Sequence, residues 1–122
     1  MKHSPGFEKL SEEVRQEITE IEADAVIKKL ETRVPLHFFD VREESEWAAG
    51  HLPRAQHLSK GIIERDIEVR VPDKNAEIVL YCGGGYRSAL AAFNLKKMGY
   101  SNVKSMIGGY RHWTERKLPM TI

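Results

Sequence analysis

Apolar residues along this chain fall into short continuous runs separated by longer amphipathic stretches. The runs at 36–41 and 78–81 are rich in β-branched or aromatic residues, and Asp40 is their only acidic or basic residue besides a histidine, which predicts buried strands. Shorter runs predict three further strands, at 18–21, 55–58 and 103–106. The stretches between them have helical spacing and predict helices over 23–31, 43–49, 62–70, 86–98 and 110–116. This alternation of strands and helices predicts an α/β fold with a parallel sheet buried on both sides.

A separate amphipathic pattern precedes the first strand. Residues 7–17 are strongly charged, and Leu10 and Val14 lie four positions apart, as one face of a helix requires. We therefore expect residues 1–17 to form an N-terminal helical extension and residues 18–122 to form the main domain. Whether the extension packs on that domain or on a partner is left open by its sequence.

Composition limits the classes of partner. A chain of 122 residues has room for one ordinary core. Its 19 basic and 18 acidic side chains give a formal net charge of +1, so no overall electrostatic attraction favours nucleic acid or a membrane surface. No run of about 18 apolar residues is present, and no apolar stretch typical of a signal peptide follows Met1. We expect a cytoplasmic protein without a membrane or nucleic-acid partner.

The chain contains one cysteine, Cys82, which excludes an intramolecular disulfide and a zinc site built from cysteines alone. In a reducing compartment this residue is a free thiol. The histidines lack the paired spacing of a zinc site, so neither a metal nor an organic cofactor is expected. These histidines are His3, His37, His51, His57 and His112.

The strongest chemical signal lies where strand 78–81 ends and the next helix begins. This loop consists of Cys82, Gly83, Gly84, Gly85, Tyr86, Arg87 and Ser88. A cysteine is nucleophilic as its thiolate, which a helix N-terminus and a nearby arginine favour. Glycines let successive N–H groups point inward to hold an anion. Arg87 offers a planar fork of donors for an oxyanion, and Ser88 can donate to the sulfur or cap the helix.

A simpler interpretation of this loop is a tight glycine turn beside a cysteine that acts as a small core residue. That interpretation accounts for Cys82 and for some of the glycines. It does not account for Arg87 next to Ser88 at the opening of a helix, so we take the loop as the candidate active site.

Four segments together resemble the rhodanese domain, from about residue 18 to residue 119. They are Asp40-Val41-Arg42-Glu43 with Glu46-Trp47 and Gly50-His51-Leu52-Pro53, then His57-Leu58-Ser59, the Cys82 loop, and Gly108-Gly109-Tyr110-Arg111-His112-Trp113. The resemblance implies a rhodanese-like domain over 18–122, with a five-stranded parallel sheet flanked by helices on both faces. It also implies a sulfurtransferase of the thiosulfate:cyanide type that carries sulfur as a Cys82 persulfide, through covalent catalysis without a cofactor.

The partners that this resemblance implies are a small sulfur donor and a thiophilic acceptor. Thiosulfate or another persulfide is the expected donor, and cyanide or a thiol the acceptor; a protein donor or acceptor is a further option. Relatives that use thiosulfate often carry additional basic residues in the loop, whereas Arg87 is the only cation between Cys82 and Ser88 here. With a single cation, the loop supports a persulfide on Cys82 more strongly than it supports thiosulfate as the physiological donor.

Three residues outside the loop are open to two interpretations. Asp40 and Arg42 lie at a strand end, where they can support the site, although a buried ion pair that fixes adjacent loops is the favoured interpretation. Arg111 is either a pocket residue or a solvated surface charge.

Two other functions use the same parts. Cysteine-dependent phosphatases and arsenate reductases also place a cysteine and an arginine on a strand, loop and helix, but with five residues between them. Here four residues intervene, which makes a smaller cradle that suits sulfur better than a phosphoryl group. A sulfur-carrier or protein-interaction module is the other alternative, since a carrier and an enzyme share the same persulfide.

Overall fold

A computed structural model describes residues 3–122 and contains one sheet of five parallel strands. The strands are β1 (Thr19–Ile21), β2 (His37–Asp40), β3 (Gln56–His57), β4 (Ile78–Tyr81) and β5 (Val103–Met106). Their order across the sheet is β1-β5-β4-β2-β3. The predicted fold class, with its parallel sheet, is confirmed.

Helices connect the strands as the spacing predicts. They are α1 (Pro5–Arg15), α2 (Ala23–Glu31), α3 (Glu44–Ala49), α4 (Ile63–Arg70), α5 (Tyr86–Lys97) and α6 (Gly109–Glu115). Helix α1 begins two residues earlier than its apolar pattern indicates, because Pro5 occupies the first turn. Proline is well suited there, since the first N–H groups of a helix have no partner within it.

The core lies on both faces of the sheet because successive side chains of a strand point to opposite sides. Phe39 and Leu80 face a cluster that includes Ile67 of α4 and Leu95 of α5. The neighbouring Phe38 and Val79 belong to a second cluster, with side chains from α2 and α6. Strand β4 at the centre is buried at all four positions. Helices therefore cover both faces, as expected.

Helix α1 packs against α5. Its buried residues are Ser11 and Val14. At the beginning of the extension, the rings of His3 and Phe7 lie against the ring of Tyr86, with centroids 4.4 and 5.8 Å away. The extension thus lies on its own domain and reaches the Cys82 loop, while the proposed boundary between residues 17 and 18 stays a prediction.

Candidate active site

Cys82 directly follows β4, at the carboxyl edge of the sheet where sites form in α/β folds. Its side chain is buried, and the backbone N–H of Gly85 donates a hydrogen bond to Sγ at 3.1 Å. Gly85 is the N-cap of α5 and has a φ of 101°, a left-handed conformation that favours glycine. The loop therefore turns one backbone donor, the N–H of Gly85, toward the sulfur, and the nest of successive N–H groups stays a prediction.

Two hydroxyl groups extend this environment. The thiol of Cys82 donates to Ser88 Oγ at 3.5 Å, and Ser88 Oγ lies 2.8 Å from Ser105 Oγ of β5. Ser88 makes no capping hydrogen bond to α5, so of its two predicted roles the structure shows the contact with sulfur. Once the thiol is ionised, Ser88 can donate to the sulfur and accept from Ser105. Ser105 was not predicted, because a buried serine in a strand resembles ordinary core.

Arg87 is held by a carboxylate of the protein. Its two terminal nitrogens donate to Glu46 of α3 at 2.7 and 3.1 Å in a bidentate ion pair. The hydrogen bond to Glu46 raises the pKa of Arg87, burial opposes this, and the nearby Cys82 adds to the rise. The same hydrogen bond lowers the pKa of Glu46. Much of the fork expected to bind an oxyanion is thus occupied by Glu46.

The sequence contains a signal for the Glu46 contact only in retrospect. Glu46 stands at the third position of α3, and it forms a capping box with Glu43, whose backbone N–H donates to Glu46 Oε1 at 3.1 Å. That bond helps to hold the Glu46 carboxylate in the orientation in which it pairs with Arg87. A glutamate in a first helical turn is explained locally by the helix dipole, so its long-range partner escapes notice.

The start of α6, which contains the glycine pair Gly108 and Gly109, is hydrogen-bonded to the backbone of the Cys82 loop. Tyr110 N–H donates to the carbonyl of Cys82 at 2.8 Å, and Arg111 N–H donates to that of Gly83 at 3.0 Å. Gly108 and Gly109 have φ values of 79° and 57°, and a side chain at Gly109 would overlap the Cys82 carbonyl oxygen. The glycines of the closing segment therefore let α6 approach the Cys82 loop closely.

Asp40 and Arg42 form a buried ion pair, in which Arg42 Nη2 lies 2.8 Å from Asp40 Oδ2. Arg42 also donates to the Gly50 carbonyl at 2.6 Å, and its guanidinium lies 4.2 Å from the centre of the Tyr110 ring. Burial acts against the charge of Arg42, but the bond and attraction to Asp40 outweigh it and raise the pKa of Arg42. These contacts link α3 and α6 behind the loop and favour a structural role.

Residues 3–122 contain neither a cluster of metal ligands nor a membrane-spanning helix. No three histidine, cysteine, aspartate or glutamate side chains come together as the ligands of a metal ion would. In the same described part of the chain, no helix has both the length and the apolar character needed to span a membrane.

Known proteins place the chain in a family. Residues 22–116 match the model of the rhodanese-like domain, and the chain belongs to that family. The putative sulfurtransferase YtwF of Bacillus subtilis is 35% identical over 84% of this chain and 97% of its own length. The putative sulfur carrier protein YrkF of the same species is 34% identical over 85% of this chain, but the match spans only 55% of that longer relative.

A solved structure from Rhodopseudomonas palustris resembles nearly the whole molecule. It has a TM-score of 0.82 at 26% identity and covers 98% of this chain and 97% of its own. That protein is described as one of unknown function and as a possible tyrosine phosphatase. The match of residues 22–116 confirms the predicted rhodanese-like family. The roles of the individual site residues stay predictions.

Proposed function

We propose that this protein is a sulfurtransferase that carries sulfur as a persulfide on Cys82. The observation that carries the proposal is the setting of Sγ, which accepts a hydrogen bond from Gly85 N–H and lies beside the Ser88 hydroxyl. Both groups can stabilise negative charge on sulfur, in the thiolate or in the outer atom of a persulfide. Membership of the rhodanese-like family and the sulfurtransferase name of the 35% identical relative support the same reaction.

The first step transfers a sulfur atom to the enzyme. The Cys82 thiolate attacks the sulfane sulfur of the donor, and a new S–S bond forms as the bond between that sulfur and the leaving group breaks. With thiosulfate, sulfite leaves with the electron pair and the enzyme keeps a persulfide anion. Gly85 N–H is positioned at Sγ, where the charge resides before the attack.

The second step regenerates the thiolate. A thiophilic acceptor attacks the outer sulfur, the S–S bond to Cys82 breaks, and its electron pair returns to Sγ. Cyanide accepts the sulfur as thiocyanate, and a thiol accepts it as a new persulfide. The acceptor comes from outside the chain, because the sequence has no second cysteine to resolve the persulfide internally.

The mass of the intact protein tests this mechanism. After incubation with thiosulfate and removal of the donor, we expect a gain of one sulfur atom, which cyanide then releases as thiocyanate. Cys82→Ser preserves the size of the side chain but lacks the nucleophile, so it should show neither the gain nor the turnover. Uptake of sulfur by that variant at the normal rate would refute the central role of Cys82.

Phosphate ester hydrolysis is the competing chemistry, since the similar R. palustris protein is described as a possible tyrosine phosphatase. Against it stand the four-residue spacing between Cys82 and Arg87 and the pairing of Arg87 with Glu46. Turnover of an aryl phosphate should be compared with thiocyanate formation in the same preparation. Cys82-dependent phosphate release without thiocyanate would reverse the assignment.

A sulfur carrier is the second candidate, because the relative YrkF is named as one. A carrier forms the same persulfide but receives its sulfur from a protein. Slow transfer from every small donor, together with rapid loading of Cys82 from a cysteine desulfurase, would favour the carrier over the enzyme.

A further inference from the structure

Arg111 places a second guanidinium on the Cys82 loop, from outside the loop. Its backbone N–H is bonded to the Gly83 carbonyl at 3.0 Å, which attaches the start of α6 to the loop. A methyl group built on Gly84 would lie 2.6 Å from Arg111 Nη2. The guanidinium therefore covers the outer side of Gly84, in space that any larger residue at position 84 would occupy.

The charge of Arg111 is available in a way that the charge of Arg87 is not. Arg87 approaches Gly83, but its positive charge is matched by the carboxylate of Glu46. Arg111 is exposed, and no carboxylate of residues 3–122 lies within salt-bridge distance of it. The loop thus carries one compensated cation and one uncompensated cation at its surface.

We propose that Arg111 is the specificity-determining cation that draws anionic sulfur donors to Cys82. The proposal rests on the sulfurtransferase function and adds to it the residue that favours anionic donors over neutral ones. A thiolate and an anionic donor repel each other, and a cation on the loop that bears Cys82 offsets that repulsion. Because an arginine presents a planar fork, it suits the oxygens of a sulfonate-like leaving group. Neutral reagents gain nothing from it.

Alkylation of Cys82 tests the charge without requiring sulfur transfer. Iodoacetate and iodoacetamide have nearly the same size and lose iodide in the same displacement, but only iodoacetate is an anion. The ratio of the iodoacetate rate to the iodoacetamide rate at Cys82 should fall by about three- to tenfold in Arg111→Gln. This is the range for losing one partly solvated charge contact. Arg111→Lys keeps the charge and should retain most of the ratio.

Arg116→Gln is the matched control, because it removes the same charge from the end of the same helix, where Arg116 pairs with Asp24. It should keep the wild-type ratio. An unchanged ratio in Arg111→Gln, or an equal fall in Arg116→Gln, would overturn the proposal, since the effect would then be absent or would reflect net charge alone.

Sulfur uptake from thiosulfate provides the second readout. In Arg111→Gln, kcat/KM for thiosulfate should fall by a similar factor, about three- to tenfold, and the loss should shrink in high salt as screening removes the contribution in the wild type. Wild-type kinetics in this variant would contradict the role of Arg111. If instead no variant and no wild-type protein gains sulfur, the sulfurtransferase function fails, while the alkylation ratio still tests Arg111.

Discussion

At the scale of single residues, the positive charge that Arg87 brings to the Cys82 loop depends on its ion pair with Glu46. Glu46 approaches Arg87 from a different helix and binds both of its terminal nitrogens. The pair is partly exposed, with 30% of the Arg87 side chain and 37% of the Glu46 side chain accessible, so it contributes modestly to stability. Its larger consequence is electrostatic, because it cancels a positive charge that a donor anion would otherwise meet.

Replacing Glu46 by glutamine should therefore increase the reactivity with anionic donors. The neutral amide leaves Arg87 uncompensated, so kcat/KM for thiosulfate should rise about two- to fivefold, with a loss of stability of less than about 1 kcal/mol. Steady-state kinetics and urea denaturation measure the two effects. Glu44→Gln removes an exposed charge from the same helix and serves as the control. A fall in rate in Glu46→Gln would show that the pair mainly holds Arg87 in a productive position.

At the scale of elements, α1 is joined to the domain by an extensive contact with α5. Val14 is buried in that contact, and so is Ser11, whose hydroxyl has no hydrogen-bond partner among residues 3–122. A buried hydroxyl without a hydrogen-bond partner destabilises the folded state, whereas a buried apolar side chain stabilises it. The contact also brings His3 and Phe7 onto Tyr86, so docking of α1 is connected with the position of the loop.

Two alanine substitutions on α1 should have opposite effects on stability. Ser11→Ala removes the unpaired hydroxyl and favours the helix, so the free energy of unfolding should rise by about 1 kcal/mol. Val14→Ala removes buried methyl groups and should lower it by about 1–2 kcal/mol. Urea denaturation of both variants, with Glu12→Ala at an exposed position of the same helix as the control, provides the measurement. If Val14→Ala had no effect, α1 would not contribute to the cooperative unit.

At the scale of the whole molecule, the Cys82 loop and a cluster of charges around Glu77 lie at opposite ends of the parallel strands. The Cys82 loop follows β4, while Glu77 immediately precedes that strand. Glu77 binds Lys29 of α2 at 2.9 Å and Lys104 of β5 at 2.6 Å. Burial opposes ionisation of Glu77, but the hydrogen bonds from Lys104 and Lys29 outweigh it and lower its pKa below the ordinary 4.5. This cluster joins a helix and two strands far from Cys82.

The pH dependence of stability follows from the direction of that shift. A carboxylate whose pKa is lowered in the folded state stabilises the fold fully above its ordinary value, and the contribution is lost as the pH falls below 4.5 through the folded pKa. Glu77→Gln should therefore be less stable than the wild type at pH 7 and should lose less on acidification. Urea denaturation between about pH 3 and pH 7 measures both slopes. Parallel curves would exclude Glu77 as a source of the acid sensitivity.

Most of the architecture could be predicted because it depends on local spacing. The buried run 78–81 and the amphipathic stretch that follows it identify β4 and α5 on either side of the Cys82 loop. The same pattern shows where the thiol stands and why glycines follow it. The partners of the loop could not be found in this way. Glu46 and Ser105 lie on other elements, and only the packing of those elements brings them to the loop. Arg111 was a candidate pocket residue in the sequence, but its place over Gly84 appears only in the packed structure.

The sequence by itself determined the fold class, the family and the cysteine at the end of a strand. Periodicity, turn residues and the segments around Cys82 are local properties, which a linear chain displays directly. Only the tertiary structure decided which charges surround that cysteine. It paired Arg87 with Glu46 and placed Arg111 over Gly84. Charge compensation depends on distances of a few ångströms between residues that are far apart in the chain, so it appears only after the sheet and helices have packed.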